Sequence, residues 1–334
     1  MQYYFNKCDG GDFVQDVLDQ QFNNKLNIVP IGDVRENKDK VVVANDLVRA
    51  GYKLSLVEKR LLLMFISRIY MANEDGTPIA KDHVGTSCSG IGGQLISADC
   101  WYALDINEYA RIFDVNRASA KQYLKEGADK LFKNRMVVFN KNNTIVHPWL
   151  HSIIMFHEES NSLLIRWHEY MIPYLANLRE HFSTYKLNML LKLHSFYSLR
   201  FYELFQCELR KQYSTEYDLY VPLEDLHFML QLEKPPVIAN LMQKIVIPAL
   251  EEINEKTDLN ISLERIMGVK NKYNALGYRK HGRKVVGITF GISKKSKEEL
   301  ILQNMSNNNA SDRLQQTYME KCAEVTRITQ SSEE

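Results

Sequence analysis

A chain of 334 residues, 45% hydrophobic and 25% charged, is too long for one ordinary soluble domain and suits two, each with a core of normal size. Its formal net charge of +1 leaves any nucleic-acid reading to the local distribution of lysine and arginine, because acid on another face can cancel a basic patch. The five cysteines are odd in number and scattered, with no C-x-x-C, which argues against a disulfide framework or a zinc knuckle and for a reducing cytoplasm.

Residues 1–40 mix Asn, Asp and Gln without a clear period and read as an extension. Asp9, Asp12 and Asp16 interrupt any secretory apolar run there. A first domain is expected over residues 41–172. Val41–Val43 is a short strand, and Asn45 or Asp46 can cap a turn. Ser55 and Glu58 make a capping box at the head of a helix over Leu56–Tyr70, whose Leu61, Leu62, Phe65, Ile66 and Ile69 face inward. The apolar stretch Leu61–Ile66 is far short of the roughly 20 residues that span a bilayer, so no membrane contact is expected. After a Gly/Ser-rich loop over 72–94, a strand at Leu95–Leu104 leads to a short helix. The turn Asp114-Val115-Asn116 follows, then a second helix over about Arg117–Lys133. Ala120, Leu124, Ala128 and Leu131 recur on the inner side of that helix, while Arg117, Lys121, Gln122 and Lys125 point elsewhere. A hairpin over Met136–Val146 and a strand pair, Ile153–His157 with Leu163–Trp167, close this half.

Pro173 and Tyr174–Ser183 read as the connection to a second domain over 173–303. It opens with a long helix at about Leu187–Arg210. A helix at Leu223–Leu230, a turn near Glu233–Pro236 and a second long helix at about Val237–Glu255 follow. Pro248 inside the latter must cost a hydrogen bond and bend it. Strands at Leu259–Met267 and Val285–Ile292 flank a long basic loop. Residues 304–334 are polar and read as a tail with at most a marginal helix.

The two halves repeat one pattern. Leu104, Ile106, Tyr109, Ile112 and Phe113 match Val221, Leu223, Leu226, Met229 and Leu230, each 117 positions on. Each segment is preceded by a helix and followed by a turn, a longer helix and β-like runs. This is the order of a winged helix-turn-helix, so the expected fold is α+β with two tandem winged-helix domains related by internal duplication. An α-helix fits the major groove, and two linked units can address groove faces about 10 base pairs apart. Double-stranded DNA is therefore the expected partner. From Lys270 to Lys297 there are nine Lys/Arg and no Asp or Glu, and residues 117–141 hold seven basic and two acidic side chains. Each phosphate neutralised should add about 0.9 to the salt slope of binding.

Enzyme signatures are missing. There is no phosphate-binding G-x-x-x-x-G-K-[ST], and Gly90-Ile-Gly-Gly is a loop rather than a G-x-G-x-x-G. His147-Pro-Trp-Leu-His151 lacks the His-hydrophobic-His spacing of a rolling-circle nickase, and its histidines read as core or surface groups. No metal, cofactor or catalytic residue is expected. The aromatic run Phe196–Phe205 reads as packing rather than base stacking.

Leu-His-Ser-Phe-Tyr-Ser-Leu-Arg-Phe-Tyr-Glu-Leu-Phe at Leu193–Phe205 resembles the Ser-x-Tyr-Ser-x-Arg-x-Tyr-Glu-Leu segment of theta-type, iteron-binding plasmid replication initiators. Pro248–Asn254 with Thr257-Asp258, Gly282–Val285 and Ile288–Phe290 are similar to that family's second winged helix. Tyr123–Ala128 with Leu131 resembles the first. The likeness covers about Val41–Ser293, leaving the N-terminal extension outside the shared core. It implies monomers that bind origin direct repeats, about two major-groove turns each, help open the duplex and engage host replication proteins. It also implies a homodimer, paired through the N-terminal domain, that represses its own gene. DNA contacts would fall on Arg117, Ser119, Lys121, Gln122 and Lys125, on Asn240, Gln243 and Lys244, and on Lys270, Lys272, Arg279, Lys280, Arg283 and Lys284 of the basic loop. A dedicated repressor of the same fold and a DNA-nicking initiator are the alternatives.

Overall fold

A computed structural model describes residues 28–29, 40–67, 101–140, 143–154, 161–175, 181–232, 237–263 and 277–303. The Gly/Ser-rich loop, most of the N-terminal extension, the 304–334 tail, Lys270 and Lys272 lie outside these residues.

The first half begins with strand β1 (Ile28–Val29) and strand β2 (Lys40–Ala44). Helix α1 (Asn45–Arg49) follows directly, so the expected turn at Asn45-Asp46 is a helix start. Helix α2 (Leu56–Ser67) opens on the expected capping box: Ser55 N–H donates to Glu58 Oε2 at 2.8 Å, and Glu58 N–H donates to Ser55 Oγ at 3.3 Å. Strand β3 (Trp101–Asp105) runs into helix α3 (Ile106–Ile112), capped by the Asp105 carboxylate, and helix α4 (Arg117–Lys133) is capped by Asn116. Ala120, Leu124, Ala128 and Leu131 of α4 are wholly buried, as their spacing predicts. Removing a side chain such as Leu124 would leave a cavity costing about 2–5 kcal/mol. Strands β4 (Arg135–Asn140) and β5 (Asn143–Pro148) form the wing hairpin; β6 (Leu150–Ile154) and β7 (Ser162–Trp167) complete a sheet of order β1-β3-β7-β6.

A short helix α5 (Ile172–Leu175) leads to strand β8 (Phe182–Lys186), which pairs antiparallel with β2 across Lys40↔Lys186 to Ala44↔Phe182. The expected division at 172/173 therefore cuts through a sheet. The predicted long helix at 187–210 is two helices, α6 (Leu187–Leu191) and α7 (Phe196–Lys211). The break follows from Ser195, whose extended backbone and side-chain acceptor cap Tyr197 N–H and start α7 afresh. Helix α7 is the central strut. Phe201, Phe205 and Cys207 are wholly buried, and one hydrophobic cluster runs through it from Val41 to Ile292, joining both halves.

The second half adds a strand the periodicity did not reveal, β9 (Glu216–Pro222), before helix α8 (Leu223–Met229). Helix α9 (Ile238–Leu241), a π-turn at Met242–Val246 and helix α10 (Ile247–Lys256) make up the second long helix. Pro248 is the physical reason for the π-turn. It has no N–H for the Lys244 carbonyl, and its ring would clash there, so the chain widens and Ile247 N–H bonds to the Met242 carbonyl. Strand β12 (Lys284–Lys294) is the spine of the second sheet. It pairs with β9 on one edge, and with β10 (Leu259–Ser262) and β11 (Tyr278–His281) on the other. A last helix over 297–303 follows, opened by a second capping box between Ser296 and Glu299.

Candidate nucleic-acid interface

The two helix-turn-helix units share a pair of turn hydrogen bonds at an offset of 117. Phe113 N–H donates to Tyr109 O at 3.1 Å and Leu230 N–H to Leu226 O at 3.1 Å. Val115 N–H reaches Ala110 O at 3.0 Å, and Leu232 N–H reaches His227 O at 3.2 Å. Between these bonds stand Asp114 and Gln231, with φ of 48° and 47°, so both first helices end in a left-handed Schellman turn without glycine. In both halves the strand ahead of the first helix pairs antiparallel with the last strand of its sheet, β3 with β7 and β9 with β12. The copies have diverged at the cap, where Asp105 of the first corresponds to Pro222 of the second.

On the first recognition helix, Arg117, Lys121, Gln122 and Lys125 are exposed on the side away from the buried Ala120/Leu124/Ala128 stripe, and Ser119 is half-buried. Arg117 and Gln122 are among those already engaged within the chain. The Arg117 guanidinium donates to Asn161 Oδ1, and Gln122 Nε2 donates to Glu126 Oε1 at 2.9 Å. The Ser119 N–H is spent on the Asn116 cap at 2.8 Å, leaving its hydroxyl as the group available for a contact.

On the second recognition helix Asn240, Gln243 and Lys244 are all exposed, opposite the buried Leu241, Met242, Val246, Ala249 and Leu250. The π-turn carries Gln243 and Lys244, so the distortion caused by Pro248 sets the direction in which two of the three side chains project. Val237, at the head of this helix, is 68% exposed, and Ala118 stands exposed at the head of the first. Apolar groups there suit thymine methyls, and a search for charge alone passes over them.

The basic loop is an ordered hairpin at its C-terminal end. His281 pairs with Lys284 across a two-residue turn, and Gly282 has φ of 60° at the first central position, the pattern of a type II′ turn. Lys280, Arg283 and Lys284 are exposed at the tip, with nothing within 4 Å of a Cβ placed on Gly282. Arg279 is also exposed, with its Nε anchored on Thr289 Oγ1 at 2.8 Å, which aims the guanidinium from a bulged strand position. Lys295, one of the nine basic residues of the run, is structural. Its ammonium donates to the carbonyls of Asn254 and Thr257, the latter at 2.9 Å, and to Gln303 Oε1 at 3.0 Å, closing the C-terminus of α10. Burial there pulls its pKa below the ordinary lysine value, against the pull of Asp258 and Glu299.

His147 and His151 lie on successive strands rather than around a common centre. His147 Nε2 is 3.4 Å from the Tyr174 hydroxyl, and the exposed His151 sits against Ser152 and Arg166. Among the described residues no group of three or more His, Cys, Asp or Glu side chains is placed to hold a metal ion, and no helix is long and apolar enough to cross a membrane.

Two winged helices, each with an exposed cation-bearing recognition helix and a hairpin wing, define a tandem winged-helix DNA-binding protein. The family models described as "Initiator Replication protein, WH1" and "Initiator Rep protein, WH2" match residues 40–206 and 222–292, and the chain belongs to this family of replication initiators. Among curated proteins it is 27% identical to an uncharacterized 27.6 kDa protein of Escherichia coli, over 66% of this chain and 87% of that one. It is 22% identical to a replication initiation protein of Escherichia coli, spanning 67% of this chain and 65% of the relative. The solved structure of Pi initiator protein in complex with iteron DNA superposes with a TM-score of 0.55 at 16% identity, covering 79% of this chain and all of that one, a likeness of fold.

Proposed function

We propose that this replication initiator binds direct repeats at a plasmid origin with both recognition helices on one duplex, and thereby helps open the origin and engage host replication proteins. The observation that carries this reading is the duplicated helix-turn-helix, with the same turn bonds at the same offset and exposed cations on both second helices. The iteron-bound Pi initiator lends support from fold, and family membership from sequence. Arg117, Ser119, Lys121, Gln122 and Lys125 would read one groove segment, and Asn240, Gln243 and Lys244 the next. Arg279, Lys280, Arg283 and Lys284 would grip phosphates, joined by Lys270 and Lys272 of the loop outside the described residues.

The division between the two units falls on this reading after α7, at the turn following Lys211, because β8 is hydrogen-bonded to β2 and α7 is packed against β8 and α1. A dimer formed through the first unit would act on an inverted operator as a repressor of its own gene, in the bacterial cytoplasm. The protein acts without bond-breaking chemistry of its own. Footprinting on the DNA flanking its gene tests this: protected direct repeats beside an A·T-rich segment are expected, and a lone promoter palindrome would leave only the repressor role. Incubation with supercoiled origin DNA and divalent metal should yield no covalent protein–DNA adduct.

A further inference from the structure

Arg200, in the middle of α7, is wholly buried, yet its guanidinium is shared among three separated parts of the chain. Nη1 donates to the Tyr52 hydroxyl at 2.5 Å and to Glu203 Oε2 at 3.4 Å; Nη2 donates to the Ala50 carbonyl at 2.6 Å and to the Met229 carbonyl at 3.4 Å. The guanidinium also lies over the Tyr52 ring, 3.9 Å from its centroid. Lys59 joins the network as a second cation, 2.7 Å from Glu203 Oε1. Ala50 and Tyr52 belong to the first winged helix. Met229 ends the first helix of the second helix-turn-helix. One side chain therefore bolts the strut helix to both DNA-reading units.

The neighbouring residue has the same position in the seam. Gly51 exchanges both backbone hydrogen bonds, each 2.8 Å, with Val137 of the first wing. A Cβ on it would stand 2.3 Å from Gln231 Nε2 and 2.9 Å from both the Phe228 ring and the Phe228 carbonyl oxygen. Gly51 is thus pressed between the first wing and the second helix-turn-helix, where even a methyl group makes Gln231 and Phe228 shift.

A buried ion network is often replaceable by well-packed apolar groups at no loss of stability, so stability alone does not account for it. The planar fork of an arginine holds its acceptors with N–H donors fixed on two separate terminal nitrogens, whereas a lysine's three donors turn about a single nitrogen and an apolar side chain has none. We propose that Arg200 is a positioning residue: with Gly51 it sets the angle and separation of the two recognition helices, and so the spacing of half-sites the protein accepts. This inference rests on the two-headed reading of the preceding section.

The test uses the full chain and a duplex selected from a random pool by the wild-type protein, compared with the same duplex carrying 2 or 5 inserted base pairs between the half-sites. Each inserted pair rotates the second half-site by about 34°. Wild type should lose roughly a hundredfold in affinity on insertion, the gain that rigid linkage of two modules supplies. Arg200→Lys should bind the uninterrupted site about tenfold more weakly and lose only a few-fold more on insertion, a flattened spacing profile. Gly51→Ala, which wedges the seam without touching the charges, should shift or flatten the profile in the same way, and it carries the comparison should Arg200→Lys fail to fold. Variants that weaken binding by the same factor at every spacing would overturn the assignment, since a merely structural role predicts that. A wild-type protein indifferent to insertion would overturn the two-headed reading itself, and the latch with it.

Discussion

Lys244 and Lys280 are both exposed lysines, yet they occupy different chemical settings. Lys244 projects from the π-turn of the second recognition helix beside Gln243, where base edges would lie. Lys280 stands on the wing, next to the Gly282-Arg283 turn, where the proposed binding mode would set it against phosphates. Lys244→Ala is expected to cost about 1–3 kcal/mol on the selected site and little on random duplex. Lys280→Ala should weaken both and lower the salt slope by about 1. Titrations of each variant at several salt concentrations decide it, and equal losses with unchanged slopes would reject the assigned roles. At this scale the sequence was a partial guide. The count of nine basic residues between Lys270 and Lys297 was correct as a count but could not tell Lys280 from Lys295, because a lysine that closes a helix C-terminus reads in sequence like one that faces solvent.

Helix α10 and the segment ahead of it show how one residue type propagates into an element. Pro248 removes a donor, the ladder widens to a π-turn, and Gln243 and Lys244 are re-aimed. Pro248→Ala would let the ladder close as a regular α-helix, rotating the residues ahead of it by about 100° relative to those behind. Stability should rise by about 1 kcal/mol, given the poor helix propensity of proline. Specific affinity should fall at least tenfold while non-specific binding stays; a variant that binds its selected site normally would refute the re-aiming. The same helix is tied to the start of α7 by Glu252. Its carboxylate accepts from His194 N–H at 2.7 Å and from the Lys256 ammonium at 3.0 Å. Burial alone would raise its pKa, but the nearby Ser198 hydroxyl and the hydrogen bonds from His194 and Lys256 prevail and hold it below the ordinary 4.5. A carboxylate depressed in the folded state contributes stability above that value, and the contribution is lost as pH falls through the folded pKa. Glu252→Gln should therefore lower the urea midpoint at pH 7 and flatten its fall on acidification; an unchanged acid limb would discount the tie. The helices were legible because α2 and α4 carry a capping box and a 3.6-residue stripe, both local signals. Strand β9 was not: Glu216–Pro222 is half exposed and became a strand only by pairing with β12, some seventy residues on.

For the molecule as a whole, the duplication was readable in the linear order of apolar residues, whereas the seam between the copies was not. The seam is made by partners 148 and 150 positions apart, Arg200 with Tyr52 and with Ala50, and no periodicity announces such a meeting. Its consequence is thermodynamic as well as geometric. One apolar cluster extends through both winged helices and the strut between them, so neither half can unfold without exposing surface that the other buries. The chain reports on this by itself, because Trp101, Trp149 and Trp167 all lie in the first half and two of them are wholly buried. Tryptophan fluorescence then follows the first winged helix alone, while far-UV circular dichroism follows helices in both. In urea the two signals should give one midpoint and one slope for the full chain. A fluorescence transition displaced from the dichroism transition would mean that the halves unfold separately, and that the shared core does not couple them.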